Sequence, residues 1–273
     1  APPRGVADKI AIASGVRPEG IIMMPNVDTV YKVPLMVARE LGPVLASFTG
    51  NDTAPDMTRW QQLVRHDSQT YRQRLTIGLV AKYVDNADTY LSITEALKAA
   101  AWAHRSEVTI QWINAETVTD AALSAVDAVV VPGGFGKRGV EGKIAAASYC
   151  LQHNVPYLGI CLGMQVAVIA AARRGGLAQA GSAECGAAPD DAVIYLMPGQ
   201  QGKQSTGGTM RLGNYPAVLQ AGSRTAKTYG ITEVVERHRH RYEVNQAHLA
   251  AINAGGIVVS GTSPDGRLVE FVE

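Results

Sequence analysis

The sequence is poor in cysteine, in aromatic side chains and in long apolar runs, and it has almost no net charge. Its three cysteines show no C-x-x-C spacing, which predicts no metal site and indicates a reducing compartment, by default the cytoplasm. No apolar run approaches the roughly 18 residues that a membrane helix needs. With 25 basic and 24 acidic residues, the chain has no global field that would recruit nucleic acid or an anionic membrane. We therefore expect neither as a partner.

Strands and helices alternate through the middle of the chain. Residues 75–84 are a run of apolar and β-branched side chains, typical of a buried strand. The alternation that follows predicts an α/β fold with a mainly parallel sheet and helices on both faces. Further strands are predicted at residues 107–113, 128–131 and 157–160, and helices at 89–104, 120–126, 140–153 and from 162 onwards. Later strands are predicted at 193–197, 208–212, 234–244 and 257–259, with a hairpin turn at 264–266.

The composition changes before residue 75. Residues 51–74 are polar and almost free of β-branched side chains, as expected of a linker. Upstream, we predict the end of a helix at 8–13, a strand at 20–24 and a helix at 33–41. These elements are too few to form a hydrophobic core alone. The chain also begins at Ala1 without an initiator methionine, as an excised piece would. We divide it into the tail of a larger domain (1–50), a linker (51–74) and a main domain (75–273).

One cysteine has the surroundings of a nucleophile. Cys161 follows an apolar strand, lies between Gly159 and Gly163, and precedes a helical pattern. This pattern is typical of a nucleophile elbow, in which the next backbone N–H, that of Leu162, points at the developing oxyanion. A helix N-terminus also favours the thiolate. A structural cysteine is the ordinary alternative, but the flanking glycines argue against it.

A second glycine-rich segment, residues 132–136 (PGGFG), follows the neighbouring predicted strand. Paired glycines allow backbone N–H groups to approach a ligand closely and form an anion site. A tight strand-to-helix connection would have the same composition. Because it follows the strand next to the elbow, we predict that Gly133 and Gly134 contribute to an oxyanion hole.

Four segments together resemble the CTP synthase family: VPGGFGKRGVEGK, YLGICLGMQVAVIAAA, GGTMRLG and ERHRHRYEVN. The resemblance covers nearly the whole chain, and the last two segments are specific to that branch of the class I glutamine amidotransferases. It implies a flavodoxin-like amidotransferase domain, preceded by the end of an α/β synthetase (amidoligase) domain that residues 25–34 match. The family aminates UTP to CTP, a step of pyrimidine biosynthesis, with ammonia from L-glutamine.

The resemblance also implies cofactors and partners. The complete family enzyme is a cytoplasmic, magnesium-dependent ligase that binds ATP and UTP, responds to GTP as an allosteric activator, and assembles as a homotetramer. None of these cofactors is expected in the part of the enzyme that this chain represents.

Site residues follow from the matching motifs. Cys161 matches the nucleophile, and Gly133, Gly134 and Leu162 match the oxyanion and substrate backbone groups. The residues that match glutamine-binding positions are Gly134, Gln165, Glu184 and Arg241. The family has a lid that closes over the site, and it is matched by Gly207, Gly208, Thr209, Met210, Arg211, Leu212 and Gly213. The alternative for this segment is an ordinary β-turn.

Two of these matches have competing interpretations. The residue after Glu184 is usually aromatic in the family, but here it is Cys185, a departure that concerns local packing more than the role of Glu184. Outside the resemblance, such a glutamate is usually a solvated surface group. Arg241 ends an alternating basic strand that could simply be solvated. A nucleic-acid site is disfavoured on this strand because no aromatic side chains accompany the basic ones. A zinc site is disfavoured because the two histidines have no further ligands at the usual spacing.

The family's general base, a histidine in a His-Pro-Glu motif, has no match. None of the six histidines precedes Pro-Glu, and the synthetase's nucleotide-binding loop has no match either. We therefore expect this chain alone to be nearly inactive on glutamine, because general acid–base catalysis contributes about 10²–10⁴-fold. The alternatives are a non-catalytic binding or regulatory module of the same fold and an amidotransferase subunit of another ligase. The synthetase-like residues before position 51 argue against the second alternative.

Overall fold

A computed structural model describes residues 5–197 and 210–273, and the chain forms two compact units, Ala1–Arg72 and Gln73–Glu273. The described part of the first unit is helical, with α1 (Val6–Ser14), α2 (Val33–Thr49) and α3 (Thr58–Ser68). The predicted strand at 20–24 is wrong, because Pro18–Gly20 is a 3-10 turn and no strand follows it among the described residues of this unit. A strand needs a neighbour for its backbone hydrogen bonds.

The second unit begins with the predicted alternation. Its first elements are β1 (Gln73–Ala81), α4 (Leu91–Ala103), β2 (Ser106–Asn114), α5 (Asp120–Ser124), β3 (Ala128–Val131), α6 (Val140–His153), β4 (Tyr157–Gly159) and α7 (Leu162–Arg174). The four strands pair in parallel in the order β2-β1-β3-β4. This order is that of a flavodoxin-like sheet. The predicted α/β class and parallel sheet are confirmed.

The second half of β1 is buried, and its side chains pack on both faces of the sheet, which explains its apolar character. Leu79 packs with Val130 and with Leu97 of α4 on one face. Val80 packs on the other face, in the main core formed with α6 and α7. Successive side chains of a strand point to opposite faces, so a strand covered on both sides must be apolar at every position.

Helix α7 lies at the centre of the main core. Leu162, Gly163 and the eight residues from Gln165 to Ala172 are buried, so the helix has no solvent face over most of its length. A helix that is apolar all round is expected in such a position. Its N-terminus is thereby fixed at the carboxyl edge of the sheet, next to the end of β4.

The remaining elements form two smaller sheets and short helices. They are β5 (Gly181–Ser182), β6 (Ala192–Leu196), β7 (Arg211–Leu219), α8 (Arg224–Tyr229), β8 (Glu233–His240), β9 (Tyr242–Val244), α9 (Leu249–Ala254), β10 (Val259–Thr262) and β11 (Val269–Val272). One sheet has the order β11-β10-β7-β8 and the other β5-β6-β9. None of the helices in the described part of the chain is long and apolar enough to cross a membrane.

Two strand predictions in this half need correction. The single strand predicted at 234–244 is divided at Arg241, because β8 pairs with β7 while β9 pairs with β6 in the other sheet. The strand predicted at 208–212 falls partly outside the described residues, and β7 continues to Leu219. The predicted hairpin turn at 264–266 is confirmed: it joins the antiparallel strands β10 and β11, with Gly266 at a φ of 72°.

Candidate active site

Cys161 stands at a strained turn between β4 and α7. Its backbone dihedrals are φ 54° and ψ −108°, a combination that residues other than glycine rarely adopt. Hydrogen bonds hold the turn on both sides: Ile160 N–H donates to the Val131 carbonyl at 3.0 Å, and Gly163 N–H to the Ile160 carbonyl at 2.9 Å. Non-glycine strain of this kind persists where the surrounding structure enforces it, often at functional sites.

The glycines beside Cys161 are explained by close packing. A Cβ added to Gly163 would lie 1.9 Å from the Val131 carbonyl oxygen, and one added to Gly159 would lie 2.4 Å from the Gly163 carbonyl carbon. Neither glycine has a positive φ, so the strain of the turn falls on the cysteine itself. The two glycines let α7 start directly against the ends of β3 and β4, and this places the thiol at the sheet edge.

The thiol of Cys161 is partly buried, and Sγ lies 3.9 Å from the Arg239 carbonyl oxygen, within reach of a weak hydrogen bond. Burial raises the pKa of Cys161. The Leu162 N–H and the ammonium of Lys143 lower it, while the carboxylates of Glu184 and Glu243 raise it. The result is the reverse of what the helix N-terminus alone predicts, because desolvation of the thiolate is the largest effect.

The segment of residues 132–136, here called the glycine turn, follows β3 and lies against the elbow. A Cβ built on Gly133 would be 3.5 Å from the Cys161 Cβ, and one built on Gly134 would be 3.5 Å from Leu162 Cδ2. The parallel pairing of Val131 with Gly159 brings these two segments to one edge of the sheet. The structure thus places the three predicted oxyanion positions, Gly133, Gly134 and Leu162, around the same cysteine.

Glu184 reaches the glycine turn from another part of the chain. It lies in a short 3-10 turn, Ala183–Cys185, which Ser182 caps by accepting the Glu184 N–H. Glu184 Oε1 accepts the Gly136 N–H at 2.8 Å. A carboxylate 48 positions away along the chain is therefore joined to the segment that faces Cys161.

Gln165 and Arg241 both lie next to Tyr242, the first residue of β9. Gln165 is buried, and its Nε2 donates to the Tyr242 carbonyl at 3.1 Å. Arg241 is also buried, and its carbonyl accepts the Met197 N–H at 3.0 Å. The pKa of Tyr242 is raised by burial and by Glu184 and is lowered by Arg241, so both charges act on one phenol. Gln165 thus has a structural partner in addition to its predicted role.

The predicted lid is only partly described. Gly207, Gly208 and Thr209 lie outside the described residues, and Met210 forms a bend. Arg211, Leu212 and Gly213 begin β7 and pair with β8. Arg211 is buried and forms a two-pronged ion pair with Glu270, whose Oε2 lies 3.0 Å from Nη1. These three residues are therefore held in a sheet.

Sequence reasoning missed a buried polar cluster, formed by Arg211, His238, His240, Glu243 and Glu270. His238 Nδ1 and His240 Nε2 are 2.8 Å apart, and His240 Nδ1 lies 3.2 Å from both the Tyr242 carbonyl and Glu243 Oε1. Because a carbonyl only accepts, we assign the proton of His240 to Nδ1. Burial lowers the pKa of His240 to about 4 and, with help from Glu270, raises the pKa of Glu243 to about 8.

Two buried lysines behind the glycine turn were also missed. Lys82 follows β1, and its Nζ donates to the Phe135 carbonyl at 2.6 Å. Lys143 in α6 is fully buried, and its Nζ donates to the Pro132 carbonyl at 3.1 Å. A signal was available, because Lys143 shares a helix face with the apolar Val140 and Ala147. Among the described residues, no group of three or more potential ligands could hold a metal ion.

The parallel sheet, the elbow and the facing glycine turn define a glutamine amidotransferase domain, and the family model "Glutamine amidotransferase class-I" matches residues 86–273. The chain is 47% identical to CTP synthase of Corynebacterium glutamicum, in a match that covers 99% of this chain and 51% of that protein. It is 45% identical to CTP synthase of Mycobacterium tuberculosis, in a match that covers 99% of this chain and 48% of that protein. It thus spans about half the length of these relatives. The chain belongs to the CTP synthase family.

A solved structure supports the same assignment. The glutaminase domain of Trypanosoma brucei CTP synthase, with bound acivicin, is 35% identical to this chain, with a TM-score of 0.67. The match covers 73% of this chain and 80% of that domain. The expectation of a class I amidotransferase domain of the CTP synthase family is confirmed.

Proposed function

We propose that this chain is the glutamine-hydrolysing part of a CTP synthase and that Cys161 is its nucleophile. The observation that carries the proposal is the convergence at Cys161. The strained turn places the thiol beside Gly133, and the neighbouring glycine turn is bonded to Glu184. The acivicin bound to the Trypanosoma brucei domain supports a glutamine site in the same fold.

In this proposal the sulfur of Cys161 attacks the side-chain amide carbon of glutamine. The oxygen of that amide becomes an oxyanion, which the backbone N–H groups of Leu162 and the glycine turn stabilise. The carbon–nitrogen bond then breaks, and the nitrogen leaves as ammonia after it takes up a proton. Water hydrolyses the resulting thioester to glutamate and restores the thiol.

Substrate recognition would use two opposite charges. Glu184 would bind the α-ammonium group of glutamine, and Arg241 would bind its α-carboxylate through the guanidinium fork. Gln165 would support this side of the pocket through its bond to the Tyr242 carbonyl. In the complete protein, we propose that the ammonia serves the Mg²⁺- and ATP-dependent amination of UTP, with GTP as activator and a homotetramer as the assembly.

The proton transfers need a base that this chain does not provide in the family's form. None of its six histidines precedes Pro-Glu. Within the described residues, Sγ of Cys161 has the Arg239 carbonyl and no imidazole nitrogen within hydrogen-bond distance. We therefore propose that this chain alone turns glutamine over slowly. The same observation favours the alternative, a module that binds glutamine without hydrolysing it.

Chemical rescue separates the two functions. Ammonia release from glutamine would be measured with increasing imidazole, which can replace a missing general base, for this chain and for Cys161→Ala. The glutaminase proposal predicts a release that rises with imidazole and depends on Cys161. Glutamine binding without any release that depends on Cys161 would establish the binding module instead.

A further inference from the structure

We propose that Lys143 is a positioning residue for the nucleophile site: its ammonium group holds the glycine turn in place and puts a positive charge behind Cys161. This inference rests on the proposed glutaminase function, because it concerns the same cysteine. Lys143 is the last residue of the VPGGFGKRGVEGK segment, and its side chain does not face solvent.

The placement of Lys143 indicates a purpose for its charge. Among the residues that the structure describes, it is the largest side chain that is completely buried. Its helix face is otherwise apolar, with the buried Val140 and Ala147 one turn away on either side. Burial of an ammonium group is costly unless it is hydrogen-bonded, and a leucine or methionine would fill such a position without that cost. The charge is therefore the property that needs an explanation.

The hydrogen bond of Lys143 fixes the first residue of the glycine turn. Its Nζ donates to the Pro132 carbonyl at 3.1 Å, and this carbonyl belongs to the peptide group that carries the Gly133 N–H. The orientation of that peptide group decides whether its N–H faces Cys161. A donor fixed to its carbonyl oxygen holds the N–H on the opposite side.

The glycine turn lies close to both the ammonium group of Lys143 and the nucleophile. A Cβ built on Gly134 would lie 3.9 Å from Lys143 Nζ, whereas one built on Gly133 would lie 3.5 Å from the Cys161 Cβ. Of two adjacent glycines, one is thus next to the cysteine and the other next to the lysine. Larger residues in this turn would add volume between the two groups.

The charges that act on Lys143 agree with this arrangement. Burial lowers the pKa of Lys143 to about 8. The ammonium group of Lys82, which reaches the turn from the end of β1, also lowers this pKa, whereas Cys161 raises it. In return, Lys143 lowers the pKa of Cys161, against burial and the carboxylates of Glu184 and Glu243. Lys143 is thus the cationic side chain that favours the thiolate, and it would likewise favour the oxyanion that follows.

The test is the pH dependence of Cys161 alkylation by iodoacetamide, which requires no bound glutamine. The rate at each pH would be measured by peptide mass spectrometry in the 273-residue chain and in Lys143→Met, which fills the same space without charge. We expect alkylation of Cys161 at pH 8 to fall roughly tenfold, because one pKa unit changes the thiolate fraction tenfold. Lys137→Met, at an exposed lysine of the segment after the turn, is the matched control and should leave the rate unchanged.

An unchanged profile for Cys161 in a folded Lys143→Met would overturn the proposal. If that variant does not fold, the unsubstituted chain still gives an answer. Two ionising groups that interact produce a titration broader than that of one group. The Cys161 profile should therefore be broader than the curve of a single isolated thiol, and a single ordinary titration for Cys161 would contradict the proposal. If the glutaminase proposal fails, the alkylation rate and the width of the Cys161 titration can still be interpreted, because neither measurement uses glutamine.

Discussion

The Val131 carbonyl oxygen lies 1.9 Å from the point where Gly163 would carry a Cβ. The first turn of α7 is therefore in backbone contact with the end of β3, and this contact sets the position of Cys161. Alanine at position 163 would force the helix away from the sheet. We expect Gly163→Ala to destabilise the unit by about 2 kcal/mol or more, as overpacking does in a close-packed core.

Urea denaturation would measure this change in the free energy of unfolding. Gly42→Ala is the matched control, because a Cβ there meets no atom within 4 Å and the residue lies inside α2. In a helix interior, that control should be neutral or stabilising. Equal effects of the two substitutions would show that the contact between Gly163 and Val131 does not limit the packing.

The backbone of Cys161 stores strain that a glycine would release. At φ 54° and ψ −108°, a side chain costs about 1–3 kcal/mol. We expect Cys161→Gly to have a higher free energy of unfolding than Cys161→Ala by an amount in this range. Both variants lack the thiol, so the comparison isolates the Cβ atom. An alanine variant as stable as the glycine variant would mean that the turn is not strained.

Glu243 should make the protein less stable as the pH rises. Its folded pKa of about 8 lies above the ordinary value of 4.5, so folding favours the protonated form. The stabilisation by this group is complete below pH 4.5 and is lost as the pH rises through 8. Glu243→Gln should remove this loss and raise the thermal midpoint at pH 8.5 relative to the unsubstituted chain. Glu233→Gln, at an exposed glutamate of β8, should not.

His240 has the opposite dependence. Its folded pKa of about 4 lies below the ordinary 6.5, because burial and His238 disfavour the imidazolium. The neutral ring stabilises the fold above pH 6.5, and this stabilisation is lost as the pH falls through 4. We expect His240→Gln to reduce the slope of stability with pH between 4 and 6.5, measured by thermal denaturation. A slope equal to that of the unsubstituted chain would contradict this assignment.

Glu184 should have opposite effects on two alkylating reagents. Its charge raises the pKa of Cys161, so Glu184→Gln should speed alkylation by iodoacetamide. The same variant should slow labelling by a glutamine-mimicking electrophile about tenfold or more, because the ammonium group loses its partner. Glu141→Gln is the control, since Glu141 pairs with Arg173 and is not among the main charges acting on Cys161. Equal changes with both reagents would contradict a role in recognition.

The sequence predicts the sheet well, because the central strand β3 and the second half of β1 are buried and therefore apolar. Residues 128–131 and 140–153 were predicted with the bounds that the structure has. The break at Arg241 could not be predicted, because it arises where the chain leaves one sheet for another and not from a local signal. The strand at 20–24 failed because local composition does not say whether a pairing strand is present.

The elbow and the glycine turn follow from motifs, and the structure brings them together. The motifs do not reveal what supports them. Lys143 is one charged residue on an apolar helix face, and Glu243 and Glu270 come from segments 27 positions apart that meet only in the folded chain. The effects of Lys143 and Glu243 on Cys161 depend on burial, and burial depends on tertiary packing, which the periodicity of a sequence does not reveal.

The most direct measurement is the distribution of label among the three cysteines after exposure to acivicin, with and without L-glutamine. Cys150 is buried and burial raises its pKa to about 11, so it should not react, and Cys185 lies outside the elbow. The proposed function predicts one label, on Cys161, with protection by glutamine. Equal labelling of Cys161 and Cys185, or labelling that glutamine does not prevent, would contradict a glutamine pocket at the elbow.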